Sequence, residues 1–292
     1  MDLKSFLEKK ETVLLDGAMG TQLISKGIQP GGTPNIACPE VIRDIHREYI
    51  QAGSDIVTTN TFILNRIYLA THNINIDSAE ANRAGVRIAK SISKEGGYVL
   101  GNIGLTGQLL EPYGAYREEQ FYNAFKEQAE ILAENGVDGF IIETQSDLRE
   151  ALCALKACKS ISELPVIVSF TFSKNPRGFV TMMGNFLEDC VEKTIHEGAD
   201  LVGANCGELD PLEMAEVVSA IKSISKVPIV IQPNAGKPKL VDNKTIYDMT
   251  PEAFAEDIKK CIEAGAKLVG GCCGTTPEHI HGVKKLIDSL KE

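Results

Sequence analysis

Near the end of the sequence, residues 267–279 read KLVGGCCGTTPEH, with Cys272 and Cys273 adjacent among glycines. Neighbouring cysteines make a poor disulfide, because closing the ring strains the intervening peptide and disulfide geometry is demanding. The sequence contains no Cys-x-x-Cys, so a redox dithiol pair is also disfavoured. A third cysteine, Cys206, closes the run DLVGANC at 200–206. Three thiolates form a soft donor set suited to zinc, and a catalytic zinc keeps three protein ligands and one open position. Incidental core thiols are the competing reading, as is a closed structural site with a fourth protein ligand. Zinc held by three thiolates is a weak activator of water. It is better suited to taking a fourth thiol and holding it as a nucleophilic thiolate, which implies alkyl transfer to sulfur. The glycines around the pair are expected to keep side chains away from the metal and its substrate.

The other five cysteines suit packing. Cys190 shares a helical stripe with Leu187, Val191 and Ile195; Cys261 follows Phe254 and Ile258; Cys158 follows Leu148, Leu152 and Leu155. Cys153 lies on the same predicted helix as Cys158, nearer its charged flank, and Cys38 precedes a proline in a predicted loop. Free cysteine serves well as a small buried hydrophobe.

Something must bring Cys206 to the Cys272–Cys273 pair. Eight short apolar, β-branched runs punctuate the chain: 12–16, 55–60, 98–104, 138–144, 165–170, 200–206, 228–234 and 267–273. Helical patterns separate them. Asp77 to Glu80 and Asn185 to Glu188 match capping-box spacing, and Thr276-Pro277 sets a cap before a proline. Four helices end in related phrases, AGSD, NGVD, EGAD and AGAK, where glycine stops the helix and a strand begins at once. Eight strand–helix units predict a single-domain α/β fold over residues 1–292, a (β/α)8 TIM barrel; a doubly wound sheet is the alternative. In a barrel, the strand ends share one mouth. Asp16, Asn60, Asn102, Glu143, Cys206, Asn234 and Cys272–Cys273 all fall at such ends.

The bulk properties narrow the partners. Of 292 residues, 43% are hydrophobic and 24% charged, which is ordinary for a globular domain and needs no disulfide staples. A net charge of −10, with no polybasic run, excludes nucleic acid and anionic membrane surfaces as expected partners. The charged opening MDLKSFLEKK has no apolar run suited to a signal peptide. With eight cysteines, that points to the reducing cytoplasm.

Taken together, DGAMGT (16–21), TNTF (59–62), ETQSD (143–147), GANC (203–206), QPNAGKP (232–238) and GGCCGTTPEH (270–279) resemble the homocysteine S-methyltransferase family. The likeness is strongest to the homocysteine-binding module of cobalamin-dependent methionine synthase. The resemblance implies a zinc ion on Cys206, Cys272 and Cys273 with homocysteine thiolate as its fourth ligand. It implies that Asp16 and Ala18 hold the amino-acid end, that Glu143 meets the ammonium group, and that Asn60 lines the pocket. Asn234 is implied as a ligand that homocysteine displaces. Gln232 departs from the pattern, standing where the family carries glutamate. The reaction implied is methionine formation, with a separate methylcorrinoid protein as the expected methyl donor because folate- and cobalamin-binding modules are not within these residues. A small onium donor, S-methylmethionine or a betaine, is the second reading. A non-catalytic zinc- and thiol-binding or corrinoid-docking subunit is the third.

Overall fold

A computed structural model describes residues 1–93, 96–242 and 244–290. Eight parallel strands form the frame: β1 (Val13–Leu14), β2 (Ile56–Thr58), β3 (Tyr98–Ile103), β4 (Gly139–Gln145), β5 (Val166–Phe170), β6 (Leu201–Asn205), β7 (Ile229–Gln232) and β8 (Leu268–Val269). Their order is β1-β8-β7-β6-β5-β4-β3-β2, and a parallel bridge from Leu15 to Ile56 brings β1 against β2. The sheet thus returns on itself, and the expected TIM barrel is observed. Except for β4, which runs on to Gln145, each strand is shorter than its apolar run; in β1, β2, β6, β7 and β8 the last residues of the run already belong to the mouth loops.

The principal helices are α1 (Pro39–Ala52), α2 (Ser78–Ile92), α3 (Glu118–Glu134), α4 (Leu148–Ile161), α5 (Leu187–His196), α6 (Pro211–Ile224), α7 (Pro251–Ala264) and α8 (Pro277–Ser289). Each follows its strand and covers the outside of the barrel. Residues alternate along each strand. Val13, Leu15, Ile56, Leu100, Ile141, Ile167, Leu201, Val230 and Leu268 fill the inside; Leu14, Ile142, Val168, Val202, Ile231 and Val269 pack outward on the helices. A helix at Leu3–Lys9, capped by Asp2, plugs the lower end with Leu3 and Leu7.

The helix-ending glycines adopt the left-handed conformation their phrases require, with φ of 112° at Gly53, 89° at Gly136, 93° at Gly198 and 118° at Gly265. The aspartates that follow three of them have a further task. Asp55 accepts the backbone N–H of Leu14 at 2.9 Å, Asp138 that of Val99 at 2.7 Å, and Asp200 that of Val166 at 2.9 Å. Lys10, Lys90 and Lys159 neutralise them in turn at 2.5, 3.0 and 2.6 Å. One carboxylate thereby ties β2 to β1, another β4 to β3, and a third β6 to β5 at the lower rim.

Two capping details differ from expectation. Asp77 accepts the N–H of Glu80 as expected, but Asn185 does not cap α5, whose N-cap is Phe186. Asn185 is held in a turn by Thr181, and its side-chain oxygen accepts the N–H of Leu148 at the start of α4. At α8 the reciprocal partner is an imidazole: Thr276 donates its N–H to His279 Nδ1 at 3.2 Å, while His279 Nε2 donates to the Met249 carbonyl at 2.9 Å. Cys153, Cys158, Cys190 and Cys261 are buried, as expected of packing thiols, and Cys38 is half-buried between two helices. Antiparallel hairpins, Ser173–Asn175 with Gly178–Val180 and Lys239–Val241 with Lys244–Ile246, rise from the mouth after β5 and β7. Among the described residues no helix is long and apolar enough to cross a membrane.

Candidate active site

The inward face of the barrel changes character one layer from the top. Two positions beyond the apolar lining residues Ile56, Leu100, Ile141, Ile167 and Val230 stand Thr58, Asn102, Glu143, Ser169 and Gln232, and four beyond Leu201 stands Asn205. Strand periodicity of two puts each pair on the same face, so six strands deliver polar groups into one mouth. A groove of about 730 Å³ at the lower end, against the N-terminal helix, contains none of them.

The three singled-out cysteines meet at the rim of this layer. Cys206 follows β6, Cys272 and Cys273 lie in the turn after β8, and their sulfurs all lie within 4.8 Å of one another. Cys206 Sγ is 3.9 Å from Cys273 Sγ. Cys206 takes a left-handed backbone, φ 58°, and its N–H donates to the Gln232 carbonyl at 3.1 Å, which turns its side chain to the pair. Without a cation, three thiolates at this spacing would repel one another. Hydrogen bonds from Cys206 and Cys272 hold Cys273 far below the usual thiol range, whereas hydrogen bonding to the neighbouring sulfurs and burial push Cys272 up. The Tyr247 hydroxyl, after the second hairpin, also hydrogen-bonds Cys273.

Beside the thiols are two carboxylates with no basic partner among the described residues. Burial pushes Asp16 up to about 8, against the backbone N–H of Thr58, which donates to it at 2.8 Å. Burial likewise raises Glu143 to about 7, against the hydrogen bond it accepts from Asn102 Nδ2 at 2.7 Å. The side-chain carbonyl oxygens of Asn102, Gln145, Gln232 and Asn234 are buried and accept no hydrogen bond from the described residues. Buried acceptors of this kind call for a donor. The mouth as a whole is prepared for positive charge.

The remaining expected residues are placed more specifically than their sequence positions suggested. Ala18 N–H donates to Thr275 Oγ1 at 3.0 Å, and its carbonyl accepts the Tyr49 hydroxyl at 2.8 Å, so both its backbone polar groups bind protein. Asn60 donates to the Gly31 carbonyl and to Asn35 Oδ1, each at 2.9 Å, fixing the loop over β2. Asn234 donates to the Gly207 carbonyl at 2.7 Å, leaving its oxygen without a partner next to the Cys206 turn. The glycines around the cysteines have a steric role that their spacing did not reveal. A Cβ on Gly271 would lie 2.5 Å from Thr275, and one on Gly270 would lie 2.7 Å from Leu15. They admit neighbouring protein, packing the β8 turn against the loop after β1.

Sequence reasoning passed over Thr275, Asn205 and Tyr247. Strand alternation could have flagged Asn205, the last inward position of β6; the others depend on loop paths that spacing does not encode.

A family model described as "Homocysteine S-methyltransferase" matches residues 13–287. The chain belongs to that family. Two relatives are the methionine synthases of Mycobacterium tuberculosis and Mycobacterium leprae, each 31% identical, over 94% and 92% of this chain respectively. The chain spans about a quarter of the length of these curated relatives, 24% in both cases. Its fold matches crystal structures of the homocysteine methyltransferase MmuM from Escherichia coli. The metallated form gives a TM-score of 0.80 at 23% identity, covering 97% of this chain and 99% of that one. The oxidized form gives 0.81 at 22% identity, with the same coverage.

Proposed function

We propose that this barrel, residues 1–292, is the homocysteine-binding domain of a zinc-dependent homocysteine S-methyltransferase that forms methionine. The observation that carries the reading is the meeting of Cys206, Cys272 and Cys273 above a layer of unpaired acceptors. The donor set fits zinc, since three soft sulfurs converge and the Asn234 oxygen beside them has no other partner. Cys206, Cys272 and Cys273 would hold the metal, with Asn234 as a ligand that substrate displaces. Bound there, zinc supplies the positive charge that lets a substrate thiol stand as thiolate near neutral pH.

The chain's own residues do the rest. Glu143 and Asp16 receive the ammonium group of homocysteine, whose charge offsets the cost of ionising two buried carboxylates. The buried amide oxygens of Asn102 and Gln232 accept the remaining N–H donors. Ala18 and Asn60 act by shape, holding the loops after β1 and β2 as pocket walls. Sulfur is thus presented toward the open mouth with its amino-acid end fixed, the orientation that methyl transfer needs. Thiol ligands require a reducing compartment, which suits the cytoplasm.

The donor is a protein-borne methylcorrinoid. Similarity to methionine synthases over nearly this whole chain supports it. A small onium donor, S-methylmethionine or a betaine, is the second reading, favoured by the carboxylates and orphan oxygens that suit a cation. A non-catalytic thiol-binding or corrinoid-docking subunit would need a closed metal site.

Zinc-edge X-ray absorption with and without homocysteine tests the proposal. Three sulfurs plus a lighter atom should become four sulfurs on adding homocysteine. Four protein ligands, unchanged by homocysteine, would sink it. Turnover with methylcobalamin-loaded protein against S-methylmethionine then decides the donor.

A further inference from the structure

The ladder between β4 and β5 is broken at the site. Ile142 pairs with Val168, but the next pair is Gln145 with Phe170, so Glu143 and Thr144 face a single residue, Ser169. This is a bulge, the device that re-aims a side chain beside a functional site. Thr144 has φ 60°, a left-handed conformation that a β-branched residue adopts only under constraint. The constraint is visible. Asn205, on β6, reaches across β5 with its Oδ1 accepting the Thr144 N–H at 2.9 Å and the Ser169 hydroxyl at 2.7 Å. Its Nδ2 donates to Thr144 Oγ1 at 2.7 Å and points to Cys272 Sγ at 3.9 Å. Asn205 is fully buried.

We propose that Asn205 is a positioning residue that sets two parts of the site at once: it pins the Glu143–Thr144 bulge, which aims the Glu143 carboxylate, and it orients the Cys272 sulfur. Both halves of its amide are needed. The oxygen replaces the ladder partner that Thr144 loses at the bulge; the nitrogen supplies the only side-chain N–H seen on a cluster sulfur among the described residues. Outer-shell donors of this kind fix ligand orientation and commonly change metal affinity tenfold to a hundredfold. No other side-chain amide among the described residues gives both contacts. Aspartate would keep the acceptor and lose the donor, and alanine would lose both.

The inference rests on the reading that the thiols hold zinc and Glu143 meets the substrate ammonium. The experiment separates the two. The wild-type chain of residues 1–292, Asn205→Asp, Asn205→Ala, Thr144→Gly and the Thr144→Gly/Asn205→Ala double variant are compared for zinc affinity by chelator competition. The sulfur-to-cobalt charge-transfer band of the Co(II) form is recorded for each. Homocysteine affinity is measured at saturating zinc. Asn205→Asp should weaken zinc about tenfold to a hundredfold and shift the band, while changing homocysteine affinity little. Asn205→Ala should weaken both. Adding Thr144→Gly, which adopts a left-handed backbone without help, should restore most of the homocysteine affinity and none of the zinc affinity. A merely structural asparagine would lower the melting temperature without moving the band.

Wild type that binds zinc and homocysteine, with Asn205→Asp and Asn205→Ala matching it in both, overturns this inference alone. So does a double variant no better than Asn205→Ala. Wild type that binds neither would remove the proposed function and this inference with it.

Discussion

The Thr275 hydroxyl accepts the backbone N–H of Ala18, 257 positions earlier, at 3.0 Å. The same hydroxyl donates to the Cys272 carbonyl at 2.7 Å, so one buried side chain joins the loop after β1 to the cysteine turn. Thr275→Val keeps the shape and strands both groups. Stability should fall by about 1–3 kcal/mol, the usual cost of a buried polar group left unpaired. Urea denaturation reads this directly; an unchanged midpoint would mean the turn is held by something else.

Gly271 separates two explanations for the glycines. If they clear space for a metal, Gly271→Ala should impair methyl transfer at unchanged stability. The 2.5 Å approach to the buried Thr275 predicts the opposite order of effects: a loss of about 1–3 kcal/mol from overpacking, with metal binding failing only as the turn shifts. Melting temperature and zinc content, measured on the same preparation, decide between them.

Cys272→Ala should remove zinc and abolish methyl transfer while leaving the fold intact, because the sulfur lies above the apolar core rather than within it. Metal analysis and circular dichroism on reduced protein check this. A variant that kept stoichiometric zinc and full turnover would show that the metal site lies elsewhere.

Glu150 carries a pH prediction independent of the metal. It accepts the N–H of Thr106 at 2.6 Å, and burial raises its carboxyl from 4.5 to about 7 against that bond. The folded state therefore keeps a proton that the unfolded chain releases near pH 4.5. Its contribution to stability is complete below that value and is lost as pH rises through about 7. Glu150→Gln retains an acceptor for Thr106 and cannot ionise. Wild-type stability relative to the variant should fall on the order of 3 kcal/mol between pH 4.5 and 8, read from denaturation midpoints. A constant difference would mean that Glu150 is ionised throughout.

The strand count, the helix-stopping glycines and the meeting of Cys206 with Cys272–Cys273 were legible in the sequence because each depends on local pattern or on the closed topology that pattern implies. The hydrogen-bonded roles were not. Asn185 has the spacing of a cap, yet a turn to Thr181 redirects it to another helix. The bulge at Thr144 has no residue signature, since threonine ordinarily favours regular strand, and only a partner two strands away holds it there. Asp55, Asp138 and Asp200 were read as the ends of helix-stopping phrases, while their strand-clamping contacts needed the barrel to be closed.

The placement of β8 between β7 and β1 has a consequence for biosynthesis. During translation the first seven strands emerge with β1 and β7 facing an unfilled seam, and Cys206 has no companion sulfur. The final strand must enter between two segments separated by more than two hundred positions before the cysteine turn can reach its place. A ribosome-bound chain halted before Leu268 would thus be an open sheet with unpaired edges and no metal cradle. Chaperone capture and thiol oxidation should concentrate on that late, seam-open species.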